Sequence, residues 1–151
     1  MEAGSQIEVY RCQNADVRTA LSALRSLHRE PAISKADVEW YLKDSANHFY
    51  LAEENGEAIG CLICYELQHI DSRQKTMLCY GIAVAERHRR RGAGLALLDA
   101  AIGHCKKHRF LKMFVIADQK NDAAMGLYAK AGGTLAEGSG DALFHWFFED
   151  C

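Results

Sequence analysis

The sequence predicts a mixed α/β (α+β) domain, in which helices flank a central sheet that is mixed but mostly antiparallel. Its 151 residues suit one domain with a single core. Strand-like and helical patterns of apolar residues alternate along the chain. A helical segment also separates two apolar strands near the middle, and such a crossover makes the strands it joins parallel. With one proline and no low-complexity linker, residues 1–151 are predicted to form one domain.

Composition narrows the class of protein. Hydrophobic residues make up 49% and charged residues 25% of the chain, as in ordinary soluble domains. Lys and Arg total 18 against 20 Asp and Glu, which argues against a general nucleic-acid binder. No apolar run approaches the ~20 residues of a membrane span, and the N-terminus has no apolar signal core. We therefore expect a cytoplasmic protein with neither nucleic acid nor membrane as partner.

Six cysteines are distributed along the chain, most of them within apolar patterns where a reduced thiol acts as a small hydrophobe. Cys61 and Cys64 have CxxC spacing. They fall in a strand-like run, so we expect them to point to opposite faces of the sheet. Because the chain has no second CxxC and no matched pair of histidines, reduced thiols and no metal site are predicted.

The first half of the chain contains three strand-like and two helical segments. The strands are predicted at 7–12, 48–54 and 57–67, and the helices at 15–27 and 35–44. Asn14 is a candidate N-cap for the first helix. Asn55 and Gly56 accept positive φ and therefore predict a tight hairpin between the second and third strands.

The second half continues with a strand at 76–84, a helix at 92–108, a strand at 112–118 and a helix at 122–130. The inner stripe of the helix at 92–108 is predicted to contain Leu95, Leu98, Ile102 and Cys105. The strand at 112–118 is almost continuously apolar, as expected of a parallel strand covered on both faces. Two more strands are predicted between 133 and 150.

A basic turn precedes the helix at 92–108. The run from Arg87 to Arg91 reads RHRRR, and Gly92 and Gly94 follow it. Free N–H groups at a helix start carry partial positive charge and bind phosphate. Glycines let the backbone approach such a group without a side chain between them. The turn predicts an anion site; the alternatives are a solvated turn or an arm that binds nucleic acid.

The same turn carries a family resemblance. Arg89, Gly92 and Gly94 match the pattern [QR]-x-x-G-x-[GA], between the strand GIAV and a helix, and NDAAMGLYAKAGG follows about thirty residues later. The chain resembles the GNAT acetyltransferase superfamily. Within it, YGIAVAERHRRRGAGLALL and the closing HWFFED are most similar to the small aminoglycoside 3-N-acetyltransferases. The resemblance implies the GNAT fold, with parallel fourth and fifth strands that splay apart to admit acetyl-CoA.

The resemblance also implies the residues that bind the cofactor. The backbone at the end of the fourth strand would face the pantetheine arm, and the amides and charges of the basic turn would hold the pyrophosphate. Asn121 would contact the arm or order its loop, although it could also cap a helix. The implied cofactor residues are Ile82, Ala83, Val84, Arg89, Arg90, Arg91, Gly92, Ala93, Gly94, Leu95, Asn121 and Tyr128.

Tyr128 matches the tyrosine of the family's LYxKxG pattern, which implies that it assists departure of coenzyme A as a thiol. A phenol near the sulfur can donate a proton or a hydrogen bond. The alternative is a buried aromatic on an amphipathic helix. Gly133 stands where the family usually has Phe, and we expect this difference to loosen the local packing.

The general base is not fixed by the sequence. Many family members have a carboxylate where this chain has Gly81. Tyr80 is a poor base at neutral pH, because a phenol keeps its proton there, although it could line the site or hold a water. Glu66 is the candidate carboxylate on the third strand, with a solvated strand end as its alternative. His145 and Asp141 are further options.

The resemblance implies a small cationic amine as substrate, foremost an aminoglycoside. Tyr80, Asp141, Glu149 and Asp150 are the predicted substrate residues, since carboxylates near the acceptor groove would attract a polycation; a solvated acidic tail is the alternative. Other candidate acceptors are a polyamine, another small amine or a protein amine. A domain that binds acetyl-CoA without turnover, and a homodimer, also stay open.

Overall fold

A computed structural model describes residues 6–27 and 32–136 of the chain. The strands are Ile7–Arg11 (β1), Asn47–Glu54 (β2), Glu57–Gln68 (β3), Lys75–Val84 (β4) and Lys112–Val115 (β5). The α-helices are Val17–Leu27 (α1), Lys35–Lys43 (α2), Ala93–Lys107 (α3) and Asp122–Lys130 (α4). The sheet order is β1-β2-β3-β4-β5. The mixed α/β class is therefore confirmed, whereas the two strands predicted after residue 133 lie almost wholly outside the described residues.

The sheet is antiparallel from β1 to β4 and parallel between β4 and β5. Asn55 and Gly56 form the predicted hairpin turn, with φ of 52° and 77°. The parallel ladder has four residue pairs and ends where Cys79 faces Val115. Because β4 continues to Val84 while β5 ends at Val115, the two strands part beyond this pair, as predicted.

Two clusters of buried side chains cover the two faces of the sheet. On one face α3 and α4 pack over a cluster that includes Cys64, and on the other α1 and α2 pack over a cluster that includes Cys61. The predicted opposite orientation of these two cysteines is confirmed. None of the cysteines in the described part of the chain forms a disulfide.

The buried face of α3 differs from the predicted stripe. Its buried residues are Ala93, Leu97, Leu98, Ala101 and Cys105. Leu95 and Ile102 are only partly buried, so the prediction was half wrong. The innermost row advances four residues at a time and includes two alanines, which allow the helix to approach the sheet closely. A pattern based on the large apolar residues misses this row.

The start of α1 also differs from the prediction. A short 3-10 helix, Asn14–Asp16, precedes it, and the Gln13 N–H donates to the Asp16 carboxylate at 2.8 Å. The predicted cap at Asn14 is therefore wrong, because one tighter turn separates it from the α-helix. Among the helices that the structure describes, none has the length and apolar character needed to cross a membrane.

Candidate functional site

The turn between β4 and α3 places the N-terminus of α3 close to the end of β4. The Ala85 N–H donates to the Ile59 carbonyl at 2.8 Å, and a 3-10 helix, Glu86–His88, follows. Arg90 and Gly92 then adopt positive φ of 64° and 93°. Gly92 is the N-cap of α3 in the left-handed region, so a β-branched residue would be strained there.

The first turn of α3 presents donors without acceptors inside the helix. The first intrahelical bond joins the Ala96 N–H to the Gly92 carbonyl at 2.9 Å. The N–H groups of Ala93, Gly94 and Leu95 therefore lack an acceptor in the helix, and no side chain of the N-cap residue bonds to them. Such an end attracts an anion through its amides and the helix dipole. The structure thus brings together the central part of the predicted cofactor turn.

Two of the arginines in this turn anchor it to the sheet. Arg91 Nη2 donates to Glu54 Oε1 at 2.6 Å, and this carboxylate is only 5% exposed. His88 Nδ1 lies 3.2 Å from the other oxygen of Glu54, and Arg87 pairs with Glu57. The charge of Arg91, which is predicted to contribute to the cofactor site, is thus paired with a buried acid of β2.

The side chains of Arg89 and Arg90 lie on the solvent-exposed side of the turn. Both are exposed. Arg89 Nε donates to the Val84 carbonyl at 3.3 Å, which holds the side chain over the end of β4. The side chain of Arg90 makes no hydrogen bond or ion pair within residues 6–27 and 32–136. Both arginines are therefore available to an anion at the start of α3.

Gly94 allows α4 to pack directly on α3. A Cβ built at this position would lie 3.0 Å from Cδ2 and 3.3 Å from Cδ1 of Leu127. The sequence assigned this glycine to the approach of a phosphate. The structure shows a second reason for a glycine here, which is the close contact with Leu127. No local pattern reveals this contact, because Leu127 lies on a helix about thirty residues later in the chain.

Both ends of α4 are fixed by their own residues. Asn121 Oδ1 accepts a hydrogen bond from the Ala124 N–H at 3.1 Å, which confirms its capping role. At the other end Gly132 has φ of 92°, and the Gly133 N–H donates to the Tyr128 carbonyl at 2.9 Å. A Cβ at Gly133 would lie 2.9 Å from that same carbonyl oxygen. The bare backbone at Gly133 therefore closes the last turn of the helix, and the expectation of looser side-chain packing there stays a prediction.

Tyr128 lies beside the point where β4 and β5 part. It is partly buried and packs on the cluster that contains Cys79 and Val115, the last pair of the parallel ladder. Burial, with a smaller contribution from the neighbouring Cys79 thiol, raises the pKa of the Tyr128 phenol above its ordinary value. Its hydroxyl makes no hydrogen bond to any described residue. The phenol is therefore protonated at neutral pH and has its donor available.

Tyr80 lies one residue beyond the end of the parallel ladder and is 70% exposed. Its ring meets that of Tyr65 edge-on at 5.6 Å, and Tyr65 meets Tyr41 in the same way at 5.7 Å. We call Tyr41, Tyr65 and Tyr80 the tyrosine row. The row places an open aromatic surface next to the split between the strands, which suits the predicted lining role of Tyr80.

Glu66 is not the solvated strand end that the sequence allowed. Its side chain is 8% exposed, and Oε1 lies 2.9 Å from His48 Nε2 and 3.3 Å from His104 Nε2. Lys75 Nζ binds Oε2 at 2.8 Å. Burial acts to raise the pKa of Glu66, but hydrogen bonds from Lys75 and His48 outweigh it and the pKa is lowered. A carboxylate with both oxygens engaged and a lowered pKa is a weak proton acceptor, so this geometry does not favour the base role.

Sequence patterns do not reveal the partners of Glu66. His48 lies on β2 and His104 on α3, so neither has a fixed spacing to it along the chain. The remaining predicted residues of the acceptor side, Asp141, Glu149 and Asp150, lie outside the described residues, as does His145.

Comparison with known proteins gives a family and a fold. The model of the acetyltransferase (GNAT) family matches residues 15–133. N-acetyltransferase family 8 member 3 of Rattus norvegicus is 24% identical over 92 residues, which cover 61% of this chain. The match spans only 40% of that relative's length.

Solved structures with a similar fold include three acetyltransferases. An aminoglycoside acetyltransferase, meta-AAC0020 from an uncultured soil metagenomic sample in complex with sisomicin, has a TM-score of 0.81 at 18% identity, over 96% of this chain and 97% of the other. The aminoglycoside N-acetyltransferase AAC(6')-Iy in complex with CoA has a TM-score of 0.77 at 16% identity, over 100% and 99% of the two chains. The ribosomal-protein-alanine N-acetyltransferase from Brucella melitensis biovar Abortus 2308 has a TM-score of 0.72 at 20% identity, over 93% and 100%.

Proposed function

The chain belongs to the acetyltransferase (GNAT) family, and from that premise we propose that it transfers the acetyl group of acetyl-CoA to a primary amine. The observation that carries the proposal is the pairing of two features. The uncapped N-terminus of α3 offers amides to an anion, and Tyr128 packs where β4 and β5 part. Acetyl-CoA has a pyrophosphate for the first feature and a thioester for the second.

The residues at the end of β4 fit the extended arm of such a cofactor. Ile82, Ala83 and Val84 pair with β3 on one side. Since the ladder to β5 ends at Cys79, their other edge is open within the described residues. Backbone N–H and C=O groups on an open edge can bind an amide-containing chain in the manner of an added strand. Arg89 and Arg90 would then contribute charge near the phosphates.

In the transfer itself, acetyl-CoA supplies a thioester carbonyl for attack by the neutral amine. Tyr128 would donate a proton to the departing sulfur, for which a raised pKa is suitable because the phenol stays protonated. The amine must also lose a proton. Because both oxygens of Glu66 are engaged, we assign this proton to a water held near the hydroxyl of Tyr80.

For the acceptor we propose an aminoglycoside, acetylated at the 3-N amine. Support comes from the resemblance of the sequence to enzymes of that class and from two of the similar structures, which are aminoglycoside acetyltransferases. Asp141, Glu149 and Asp150 add carboxylates near the C-terminus. Clustered negative charge would concentrate a polycationic sugar through Coulomb attraction.

A second candidate is an amine with less positive charge, such as the N-terminus of a protein. The tyrosine row favours this candidate. Tyr80 offers an exposed aromatic surface, and the next residue is Gly81, where many family members carry an acid that would attract a polycation. A ribosomal-protein-alanine N-acetyltransferase shares the fold.

The deciding experiment measures release of the coenzyme A thiol with a panel of amines. The panel contains gentamicin-type aminoglycosides, spermidine and alanine-terminated peptides, with mass spectrometry of each product. We expect turnover with an aminoglycoside and acetylation of its central ring. Turnover of only the peptide would favour the second candidate. Tight acetyl-CoA binding without thiol release from any amine would contradict the enzymatic proposal.

A further inference from the structure

Three potential metal ligands from three separate elements meet on the α3 face of the sheet. They are His48 on β2, Glu66 on β3 and His104 on α3. Their ligand atoms all lie within 4.8 Å of one another. The His48 side chain is fully buried, and those of Glu66 and His104 are 8% and 20% exposed. His104 is eleven residues along α3 from Ala93, or about 16 Å, so the cluster lies away from the proposed phosphate turn.

We propose that His48 Nε2, Glu66 Oε1 and His104 Nε2 form a binding site for a divalent transition metal, with zinc as the preferred ion. Zinc takes imidazole nitrogen at about 2.0–2.1 Å and carboxylate oxygen at about 2.0–2.2 Å, usually in a tetrahedron. Those bond lengths place neighbouring ligand atoms about 3.4 Å apart. The observed separations from Glu66 Oε1, 2.9 Å to His48 Nε2 and 3.3 Å to His104 Nε2, are close to such a tetrahedral edge.

The surroundings of His48 fit a ligand. Its Nδ1 lies 3.0 Å from the hydroxyl of Tyr50, which is itself buried. A metal-bound histidine usually gives its other N–H to such a partner, which fixes the tautomer and the ring orientation. If Nδ1 donates to Tyr50, the lone pair of Nε2 faces Glu66 and is free to bind a cation.

Glu66 can serve as a ligand through one oxygen only. Lys75 Nζ holds Oε2 at 2.8 Å, so the ion would bind Oε1 in place of the hydrogen bonds between this oxygen and the two histidines. The ammonium group opposes the charge of a cation and should reduce its affinity without blocking the site. The charge of Lys75 provides the sharpest test of the proposal. Its removal should raise the affinity for the metal, whereas loss of a ligand should lower it.

A fourth ligand position would face a cavity of about 350 Å³ that Glu66, His104 and Phe110 help to line. Two histidines and one glutamate form a ligand set that zinc uses with an open position for water. Because the ligands come from β2, β3 and α3, an ion there would tie the helix to the sheet. We therefore expect zinc to stabilise the folded protein.

The alternative is a hydrogen-bonded network in which both Nε2 atoms donate to Glu66 and no ion binds. Two titrations of chelator-treated protein distinguish the metal site from the hydrogen-bonded network. Binding of Zn²⁺ is measured by calorimetry, and binding of Co²⁺ by visible absorption. We expect saturable binding of one ion per chain, a Co²⁺ spectrum of four-coordinate type and a raised Tm. Absence of saturable binding by the wild-type protein would overturn the proposal.

Four variants test the assignment of ligands. His104→Ala should abolish the Co²⁺ spectrum, whereas His69→Ala, the same change at a histidine bonded to Thr76 instead, should leave it unchanged. Tyr50→Phe should weaken zinc binding by about 10–100-fold through the outer partner of His48. Lys75→Ala keeps all three ligands and should tighten binding. Equal zinc affinity in the His104→Ala protein, or weaker affinity in the Lys75→Ala protein, would sink the assignment even if another variant failed to fold.

Discussion

Leu127 of α4 packs against Gly94 of α3 so closely that a Cβ at position 94 would lie 3.0 Å from Leu127 Cδ2. Gly94 belongs to the first turn of the helix that offers its amides to an anion, and Leu127 precedes Tyr128. One contact therefore joins the proposed phosphate turn to the proposed general acid. A substitution at Gly94 should therefore displace α4 and Tyr128.

The first prediction concerns this contact. Gly94→Ala should lower the free energy of unfolding by about 1–3 kcal/mol, because an added methyl overpacks a close interface. It should also lower kcat, since α4 and Tyr128 must shift. Leu127→Ala in the same chain should recover part of both losses. The measurements are denaturant unfolding and steady-state kinetics with acetyl-CoA.

Gly103→Ala is the matched control for Gly94→Ala. Gly103 lies in the same helix, and nothing lies within 4 Å of a Cβ built there. This substitution should stabilise the protein by about 0.5–1 kcal/mol and leave kcat unchanged. Equal effects of the two substitutions would show that the contact with Leu127 has no special role.

The second prediction separates two neighbouring arginines. Arg91→Gln should lower the free energy of unfolding by about 1–3 kcal/mol, because it leaves the buried Glu54 carboxylate short of a partner. Arg90→Gln should leave unfolding unchanged and weaken acetyl-CoA binding by about 0.2–1 kcal/mol, the range of an exposed ion pair. That loss should shrink at high salt. Calorimetry and urea unfolding of both variants check it, and a reversed pattern would contradict the assignment of charges.

The third prediction concerns Tyr128→Phe. The variant should keep the fold and bind acetyl-CoA as the wild type does, because the ring still packs against the buried cluster that contains Cys79. Its kcat should fall by about 10²-fold or more through loss of the proton donor. Wild-type turnover in a folded variant would remove Tyr128 from the mechanism.

The fourth prediction follows from the raised pKa of Tyr128. A general acid works only while protonated, so its activity is lost as pH rises through its pKa. Burial moves that pKa above the ordinary ~10, and kcat should therefore not decline through this group below about pH 10. The kcat profile of wild type and Tyr128→Phe, measured with a saturating amine, checks it. A decline near pH ~8 that disappears in the variant would count against this environment.

The fifth prediction tests the acceptor. Neutralising Asp141, Glu149 and Asp150 together should raise KM for an aminoglycoside more than KM for acetyl-CoA, because only the first substrate is a polycation. The effect should weaken with added salt, since screening acts over ~8 Å at physiological ionic strength. An unchanged KM for the drug would argue that these carboxylates do not form its site.

The sequence by itself determined the features that depend on neighbouring residues. The turn at Asn55 and Gly56 needs positive φ at two adjacent positions, and both residues accept it. The start of α3 at Gly92 also needs a positive φ, and the start of α4 needs a capping side chain, which Asn121 provides. The parallel pairing of β4 and β5 follows from the helix between them.

The tertiary structure alone decided where the partners of each polar side chain lie. Glu66 appeared as a free carboxylate at a strand end, yet Lys75 and histidines from β2 and α3 surround it. Arg91 appeared as one more charge for a phosphate, yet it pairs with Glu54 of β2. These contacts join residues 9 to 38 positions apart in the sequence. Local patterns record propensity and periodicity, and they carry no information about which distant side chain will share a buried space.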